Sequence, residues 1–187
     1  MTNFSDTISH LLFIKFSSVK FQQIDKVTYR KHLNITLVAC AAALLCLSLT
    51  LSAIFIAIVS SPEADNFNLN LMAVVVSIAI IVTALIQMKH TPFLHEVYYV
   101  WCLKMELNFI NAKLRHIEKA AANNEVNALI TLAYYYQGSR QLWTLDDNTI
   151  SIDSLAIKEQ ALEQKIQSVG LNIDTTHYQR EMLKSYK

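Results

Sequence analysis

Histidine is the residue type in this chain best suited to metal binding or acid–base catalysis, and six histidines are spread along the sequence. Two histidines in an HExxH spacing on one helix would bind zinc. The best partial match is His95-Glu96, which is followed at the next turn by Tyr99 instead of a second histidine. We therefore expect no zinc chemistry at this position.

Cysteines and glycines give no better basis for catalysis. Cys40 and Cys46 lie inside an apolar segment, and Cys102 is interpreted as a packed helical residue and not as a thiol nucleophile. A phosphate-binding loop needs clustered glycines, and the only two glycines, Gly138 and Gly170, stand far apart. The sequence predicts a protein that is not an enzyme and that uses no cofactor or metal.

The longest uncharged stretches predict two membrane-spanning helices. No charged side chain occurs between Lys31 and Glu63 or between Asp65 and Lys89, and runs of that length are typical of transmembrane helices. A cleaved signal peptide would start earlier and be shorter. The predicted spans are about 34–60 and 69–88. At 1.5 Å per residue they would extend roughly 40 Å and roughly 30 Å, so both can cross a lipid bilayer.

Basic residues are distributed asymmetrically around the two spans. They precede the first span and follow the second, whereas the loop at 61–66 contains no Lys or Arg. Because basic flanks resist translocation, we expect a multi-pass protein of the bacterial inner membrane with both termini in the cytoplasm. The flanks would suit an anionic leaflet, and the formal net charge of +1 argues against a direct nucleic-acid partner.

Three predicted regions, all helical, make up the chain. Residues 1–33 are expected to form a cytosolic amphipathic helix, which either packs on the cytosolic helices or lies in the membrane plane. Residues 34–90 form the transmembrane hairpin, and residues 91–187 form a cytosolic helical region. The predicted fold class is therefore all-α, with a long post-membrane helix and a small C-terminal helical region.

Small residues follow one stripe along each predicted span. Such a stripe lets a second helix backbone approach closely, which is a main source of helix association in lipid. We therefore expect the two stripes to face each other as a packing seam. The seam residues are Ala39, Ala43, Cys46, Thr50, Ala53 and Ala57 on the first span and Ala73, Ser77, Ile80 and Ala84 on the second.

Ser48 and Ser52 lie one turn apart, roughly opposite the small residues of the first span. Each hydroxyl can bond back to a carbonyl of its own helix, which would make it structural. Alternatively, the two serines form a weakly polar stripe at a subunit interface or in a water-filled lumen. No intramembrane acid or base is present in the sequence, which argues against a proton-coupled carrier.

After the second span, Thr91-Pro92 is expected to interrupt the helix. Apolar residues then recur at steps of three and four, which predicts one helix of about thirty residues with a coiled-coil-like stripe. We expect this stripe to be buried against the N-terminal helix, another subunit, or both, which favours a homo-oligomer or a regulatory partner. Its residues are Val100, Leu103, Leu107, Ile110, Leu114, Ile117 and Ala121.

The next predicted helix begins near Val126 and ends at Gly138, and residues 139–152 are expected to be a loop in which Ile150 and Ile152 are extended. The segment 122–138 resembles half of a Sel1 or tetratricopeptide repeat. Because a solenoid needs about three such units, we interpret it as part of a packed helical hairpin.

The rest of the chain is also predicted to be helical. The turn signal is Asp146-Asp147-Asn148. A helix is expected from Asp153 or Ser154 to Gly170, its C-cap, and a short last helix from about Asp174.

The order of these elements carries a family resemblance. A basic N-terminal helix with Tyr29-Arg30-Lys31 precedes the first span, and His95-Glu96-Val97-Tyr98-Tyr99 follows the second. From about Lys15 to Lys119 the chain resembles the SLATT-type two-transmembrane effectors of prokaryotic defence loci such as CBASS and retrons. The resemblance implies an antiphage membrane toxin that oligomerises and permeabilises or depolarises the inner membrane. Its trigger would be a partner, such as a retron reverse transcriptase complex, or a nucleotide signal.

Two other functions are compatible with the same sequence. An inner-membrane immunity protein could neutralise a pore-forming toxin with this hairpin, or a scaffold could use it as an anchor. In each case the cytosolic helices would contact a regulatory protein or ribonucleoprotein. Expression distinguishes the three, because an effector is toxic, an immunity protein protects and an anchor does neither.

Overall fold

The computed structural model describes residues 18–59 and 66–186, and within those ranges it contains helices and no strand. The predicted all-α fold class is confirmed. The α-helices are α1 (Lys26–Val59), α2 (Phe67–Met88), α3 (Pro92–Asn111), α4 (Leu114–Ala122), α5 (Val126–Leu145) and α6 (Thr149–Ser168). Two short 3₁₀ helices follow, η1 (Thr175–His177) and η2 (Arg180–Ser185).

The chain forms two compact units. The hairpin unit is Ile24–Tyr99, and the helical unit combines the described residues 18–23 with residues 100–186. The division falls inside α3. Residues 18–23 therefore group with the C-terminal helices, although they precede α1 directly in the sequence.

α1 begins at Lys26 because Asp25 caps it. The Asp25 carboxylate accepts a hydrogen bond of 2.7 Å from the backbone N–H of Thr28, which satisfies one of the free amides at the helix start. The hydrogen bonds from Thr28 lower the pKa of Asp25. Residues 18–25 are not helical, so the structure differs from the predicted N-terminal helix over this stretch. The preceding part of that predicted helix, residues 1–17, lies outside the described residues.

α1 and α2 are long and apolar enough to cross a membrane, and they pack on each other as a hairpin. Their outer surfaces are largely apolar from residue 35 to 59 and from residue 71 to 86. Leu49 and Ile58, for example, are 70% and 76% exposed. Side chains of this kind are suited to hydrocarbon and not to water. The predicted external loop falls mostly on residues 60–65, which are outside the described part of the chain.

Thr91 and Pro92 separate α2 from α3, as predicted. The Thr91 hydroxyl and backbone N–H both bond to the carbonyl of Met88, at 2.7 and 2.9 Å. Pro92 is the first residue of α3, where its missing N–H leaves no helical bond unmade. The interruption is therefore a capped junction between two helices.

The single helix predicted after the hairpin is wrong, because the chain breaks it into α3 and α4 at Ala112 and Lys113. Lys113 leaves helical geometry, with φ −116° and ψ 8°. Its Nζ donates hydrogen bonds to the carbonyls of Leu183 and Tyr186, at 2.7 and 2.6 Å. These bonds to the end of the chain hold the turn in place, and the apolar period of the sequence does not reveal them.

Gly138 lies inside α5 and does not end it, so the prediction of a helix end there is wrong. A Cβ atom at this position would lie 2.9 Å from Leu107 Cδ2 and 3.4 Å from Leu103 Cδ1. The glycine therefore provides close packing between α5 and α3, and no left-handed turn is needed.

The chain between α5 and α6 is shorter than predicted. Residues 146–148 form the expected turn, with Asp147 at φ 58°, but residues 149–152 belong to α6 and are not extended. Gly170 ends the following segment at φ 69°, and the N–H of Leu171 bonds to the carbonyl of Ile166 at 3.3 Å. This is a Schellman motif, which confirms the predicted cap. The last predicted helix is replaced by η1 and η2.

Candidate functional site

Four aromatic and charged side chains form a buried group in the helical unit, which we call the tyrosine cluster: Glu106, Tyr134, Tyr178 and Arg180. Glu106, on α3, is fully buried. Tyr178 donates its hydroxyl to Glu106 Oε1 at 2.7 Å, and Arg180 Nε lies 3.1 Å from Glu106 Oε2, which a second Arg180 nitrogen also contacts. The Glu106 carboxylate is shielded from water, and each of its oxygens has a hydrogen-bond partner.

Tyr134 connects this buried pair to α5. Its ring stacks on the ring of Tyr178, with centroids 4.1 Å apart and planes inclined by 24°. Its hydroxyl donates a 2.6 Å hydrogen bond to the backbone carbonyl of Val19. One tyrosine therefore contacts both the C-terminal part of the chain and the segment before α1.

Residues 18–23, which we call the N-terminal strap, are held along α5 by contacts at two levels. Phe21 packs on the ring of Tyr134 at a centroid distance of 4.8 Å. Two turns further along α5, Gln141 Nε2 donates to the backbone carbonyl of Gln22 at 2.6 Å. Apart from Phe21, these contacts engage backbone atoms of the strap, so they depend on its conformation more than on its sequence.

Residues 174–186, which we call the C-terminal strap, are fixed at both ends. At one end, the Thr175 hydroxyl donates a 2.9 Å hydrogen bond to Gln137 Oε1 on α5. At the far end, the Tyr186 hydroxyl donates to Glu125 Oε1 at 2.7 Å, and Lys113 binds two carbonyls of the same end. The strap closes the helical unit across α3, α4 and α5.

Burial raises the pKa of the tyrosine hydroxyls in this unit. For Tyr178 the burial effect is reinforced by the negative charge of Glu106. Burial, together with the charge of Glu118, raises the pKa of Tyr136 to about 12. A phenol with a raised pKa is a hydrogen-bond donor and not a base near neutral pH. The tyrosine cluster therefore holds the N-terminal and C-terminal straps against α3 and α5.

The predicted seam residues differ in burial between α2 and α1. Ala73 and Ser77 are fully buried as predicted, whereas Ile80 and Ala84 are exposed. On α1 only Ala43 is half-buried. The other predicted seam residues are exposed, and we call them the outer stripe: Ala39, Cys46, Thr50, Ala53 and Ala57. Small size did not identify the contact side, because every side of α1 is apolar.

Ser48 and Ser52 lie on half-buried positions of α1. Ser52 donates its hydroxyl to Asn70 Oδ1 on α2, which joins the two spans directly. Ser48 bonds back to the carbonyl of Leu45 at 3.2 Å, the structural role that the sequence left open. Ser52 therefore belongs to the contact between the two spans of one chain, and a role of either serine at a subunit interface or in a lumen stays a prediction.

The heptad stripe predicted as a subunit interface is the core of the helical unit. Leu103, Ile110 and Ile117 have no exposed surface, and Val100 and Leu107 are also buried. Leu114 is half-buried at the start of α4. Because the stripe packs inside its own chain, no second subunit is needed to cover it.

His32 and Glu96 approach each other at the end of the hairpin unit opposite the loop. His32 Nδ1 lies 3.5 Å from Glu96 Oε2, and the His32 ring contacts the ring of Phe93 at 4.4 Å. Glu96 belongs to the His95-Glu96 pair singled out in the sequence. Among the described residues, no group of three His, Cys, Asp or Glu side chains could hold a metal ion.

A groove of about 340 Å³ lies between α5 and α6 in the helical unit. Ala133, Leu162 and Ile166 supply apolar surface, and Glu163 and Thr175 supply polar groups. No histidine or cysteine lines it, so the lining contains no imidazole or thiol. Its mixed lining is suited to contact with another polypeptide.

Sequence reasoning missed the tyrosine cluster. One signal was available, since Glu106 stands three residues after Leu103 and four before Ile110, inside an apolar stripe where a charge requires a partner. The identity of that partner was not available, because Tyr178 and Arg180 are distant in the sequence and follow no period.

The model of one protein family, described as a protein of unknown function (DUF3087), matches residues 19–183. No curated protein and no solved structure matches the chain. The family description carries no activity, so the resemblance to SLATT-type effectors stays a prediction.

Proposed function

We propose that this chain, which belongs to the DUF3087 family, is a membrane effector whose hairpins assemble in the bacterial inner membrane and make it leaky. The observation that carries the proposal is the outer stripe of α1, which stays exposed after α1 and α2 have packed together. In lipid there is no hydrophobic driving force for two apolar helices to associate. Small residues on a helix surface favour association there, because they let another helix approach closely. A second copy of the hairpin would supply that helix.

The leak follows from the number of spans and from their composition. Two helices cannot enclose a path, but several hairpins joined through their outer stripes can. The spans contain no charged side chain, and exposed Thr50 and Thr83 bond back to carbonyls of their own helices at 2.7 Å. Such a path would have little ion selectivity and would collapse the membrane potential.

The trigger in this proposal acts on the cytoplasmic helical unit. A retron reverse transcriptase complex, another ribonucleoprotein or a nucleotide-sensing partner would contact its surface, because the heptad stripe is already buried. The antiphage role itself is supported only by the resemblance of the segment from Lys15 to Lys119.

A membrane-anchored scaffold is the second candidate function. The observation in its favour is that the helical unit completes its own core and keeps a groove of about 340 Å³ between α5 and α6 on its surface. A scaffold would use this surface for a partner and the hairpin only as an anchor.

Expression of the full chain with a potential-sensitive dye tests the proposal. Cells that express the chain without its neighbouring genes, or together with the trigger partner, should depolarise before they lyse. Ala53→Leu combined with Ala57→Leu should blunt the depolarisation at equal protein level, because the larger side chains keep hairpins apart. Ala41→Leu is the matched control, since Ala41 is exposed on α1 but off the outer stripe.

A membrane potential that held steady during growth arrest would contradict the effector proposal. Protection of cells against a pore-forming toxin would then favour an immunity protein. Neither toxicity nor protection would favour the scaffold.

A further inference from the structure

We infer that the two straps are energetically coupled through Tyr134, so that release of the C-terminal strap also releases the N-terminal strap directly ahead of α1. The inference concerns the helical unit alone and holds whether or not the protein permeabilises membranes.

The coupling rests on the side chain of Tyr134, which contacts residues of both straps. Tyr134 is 2% exposed, and its ring lies 4.1 Å from the ring of Tyr178 and 4.8 Å from the ring of Phe21. Its hydroxyl is bonded to the carbonyl of Val19. Removing Tyr178 takes away packing that holds the Tyr134 ring in the orientation which that hydrogen bond requires.

The N-terminal strap buries little apolar surface among the described residues. Val19 and Phe21 are half-buried and Gln22 is exposed, and the second described side-chain anchor is the bond from Gln141. Segments with few buried apolar contacts open locally at low free energy. Loss of the Tyr134 anchor should therefore be felt along the whole strap.

The C-terminal strap is held more firmly and can act as the controlling element. Tyr178 is 1% exposed and is bonded to Glu106, while Arg180 pairs with the same carboxylate and lies over the ring of Phe109 at 4.7 Å. A partner that displaced this strap would have to break these contacts together. Such a displacement is a discrete event, as a switch requires.

The position of the N-terminal strap gives its release a consequence. Three residues, Gln23, Ile24 and Asp25, separate the anchored carbonyl of Gln22 from the first residue of α1, and the last of them is the α1 cap. The coupling therefore extends from the C-terminal strap to the residues directly before α1.

Hydrogen exchange of the full chain in detergent micelles tests the coupling. Tyr178→Leu should raise amide exchange in residues 175–186 and also in residues 19–23, the latter by on the order of tenfold, within the usual range of coupling between two sites. Exchange within α2 and α6 should not change. Tyr135→Phe is the matched control, because this neighbouring tyrosine bonds Asn111 on α3 and neither strap.

The reverse variant makes the test independent of any wider damage from the first. Phe21→Ala should raise exchange in residues 175–186 as well as in the N-terminal strap, since a coupling free energy between two sites acts in both directions. If Tyr178→Leu also raised amide exchange in α6, the result for Phe21→Ala alone would decide whether the two straps are coupled. Exchange that rises only in the mutated strap, or in neither strap, overturns the coupling.

Discussion

Tyr178 illustrates how a single residue can set the conditions under which the helical unit is stable. Its phenol is buried against Glu106, so ionisation would place a second negative charge beside a carboxylate that is already shielded from solvent. Burial and that charge raise the pKa of Tyr178, and burial raises the pKa of Tyr136 to about 12. The folded helical unit therefore favours neutral tyrosines.

We predict that the helical unit loses stability in alkaline solution. Unfolded tyrosines ionise near pH 10. Above that pH the unfolded chain has released protons that Tyr136 and Tyr178 still hold in the folded state, so stability falls as pH rises. The contribution is fully present below about pH 10 and, for Tyr136, is lost as pH rises to about 12. Denaturant unfolding at increasing pH measures it.

Tyr178→Phe provides the control for this alkaline effect. The variant should be less stable near neutral pH by about 1–3 kcal/mol, since Glu106 loses a hydrogen bond, but its stability should decline less steeply above about pH 10. Parallel pH profiles for the variant and the parent protein would show that Tyr178 does not contribute to the decline.

At the scale of whole elements, the hairpin is held by Ser52 and Asn70 on one side of α1, while the outer stripe is free on another. We predict that Ser52→Leu destabilises the hairpin by about 1–3 kcal/mol through overpacking. Ser52→Ala should cost about 0.6 kcal/mol, the average for a hydrogen bond between helices in a membrane. Unfolding in a denaturing detergent series measures both.

Ala53→Leu is the matched substitution for Ser52→Leu, since the two residues are adjacent and point to different sides of α1. It should leave hairpin stability almost unchanged, because Ala53 is exposed. Equal destabilisation by Ala53→Leu and Ser52→Leu would show that both sides of α1 contact α2 in the membrane.

The sequence predicts elements whose limits depend on local chemistry. Pro92 and Gly170 mark the helix ends where they were expected, and the uncharged stretches contain both candidate spans. The prediction from local chemistry was wrong at Gly138. Glycine often ends a helix, but here it lies inside α5 and allows α3 and α5 to pack closely. The prediction was also wrong at Lys113, whose bonds reach Leu183 and Tyr186, which are remote in sequence.

The contact side of α1 and the partners in the tyrosine cluster lay beyond sequence reasoning for two different physical reasons. A span that is apolar on all sides has no polar face to show where its neighbour lies, so small residues suggested the wrong side. The Tyr134, Tyr178 and Glu106 cluster is built from three separate elements, and sequence periodicity carries no signal for such pairings.

At the scale of the whole molecule, the distribution of charge should determine how the hairpin inserts. Lys26, Arg30 and Lys31 stand before the apolar part of α1, and Lys89 and His90 directly follow α2. The connection between the spans contains Glu63 and Asp65 and no basic residue. Lys and Arg near the ends of spans are retained in the cytoplasm. We therefore expect the residues before α1 and the residues after α2 to lie in the cytoplasm.

Labelling by an impermeant thiol reagent tests this topology in intact cells. In a background where Cys40, Cys46 and Cys102 are replaced by alanine, Ala64→Cys should react from outside, because it lies in the acidic connection. Ser185→Cys should react only after the membrane is permeabilised. Moving basic residues to the connection, as Glu63→Lys with Asp65→Lys, should weaken the orientation and reduce labelling at position 64. Reaction of Ser185→Cys in intact cells would mean that the helical unit is outside, where no cytoplasmic trigger could reach the C-terminal strap.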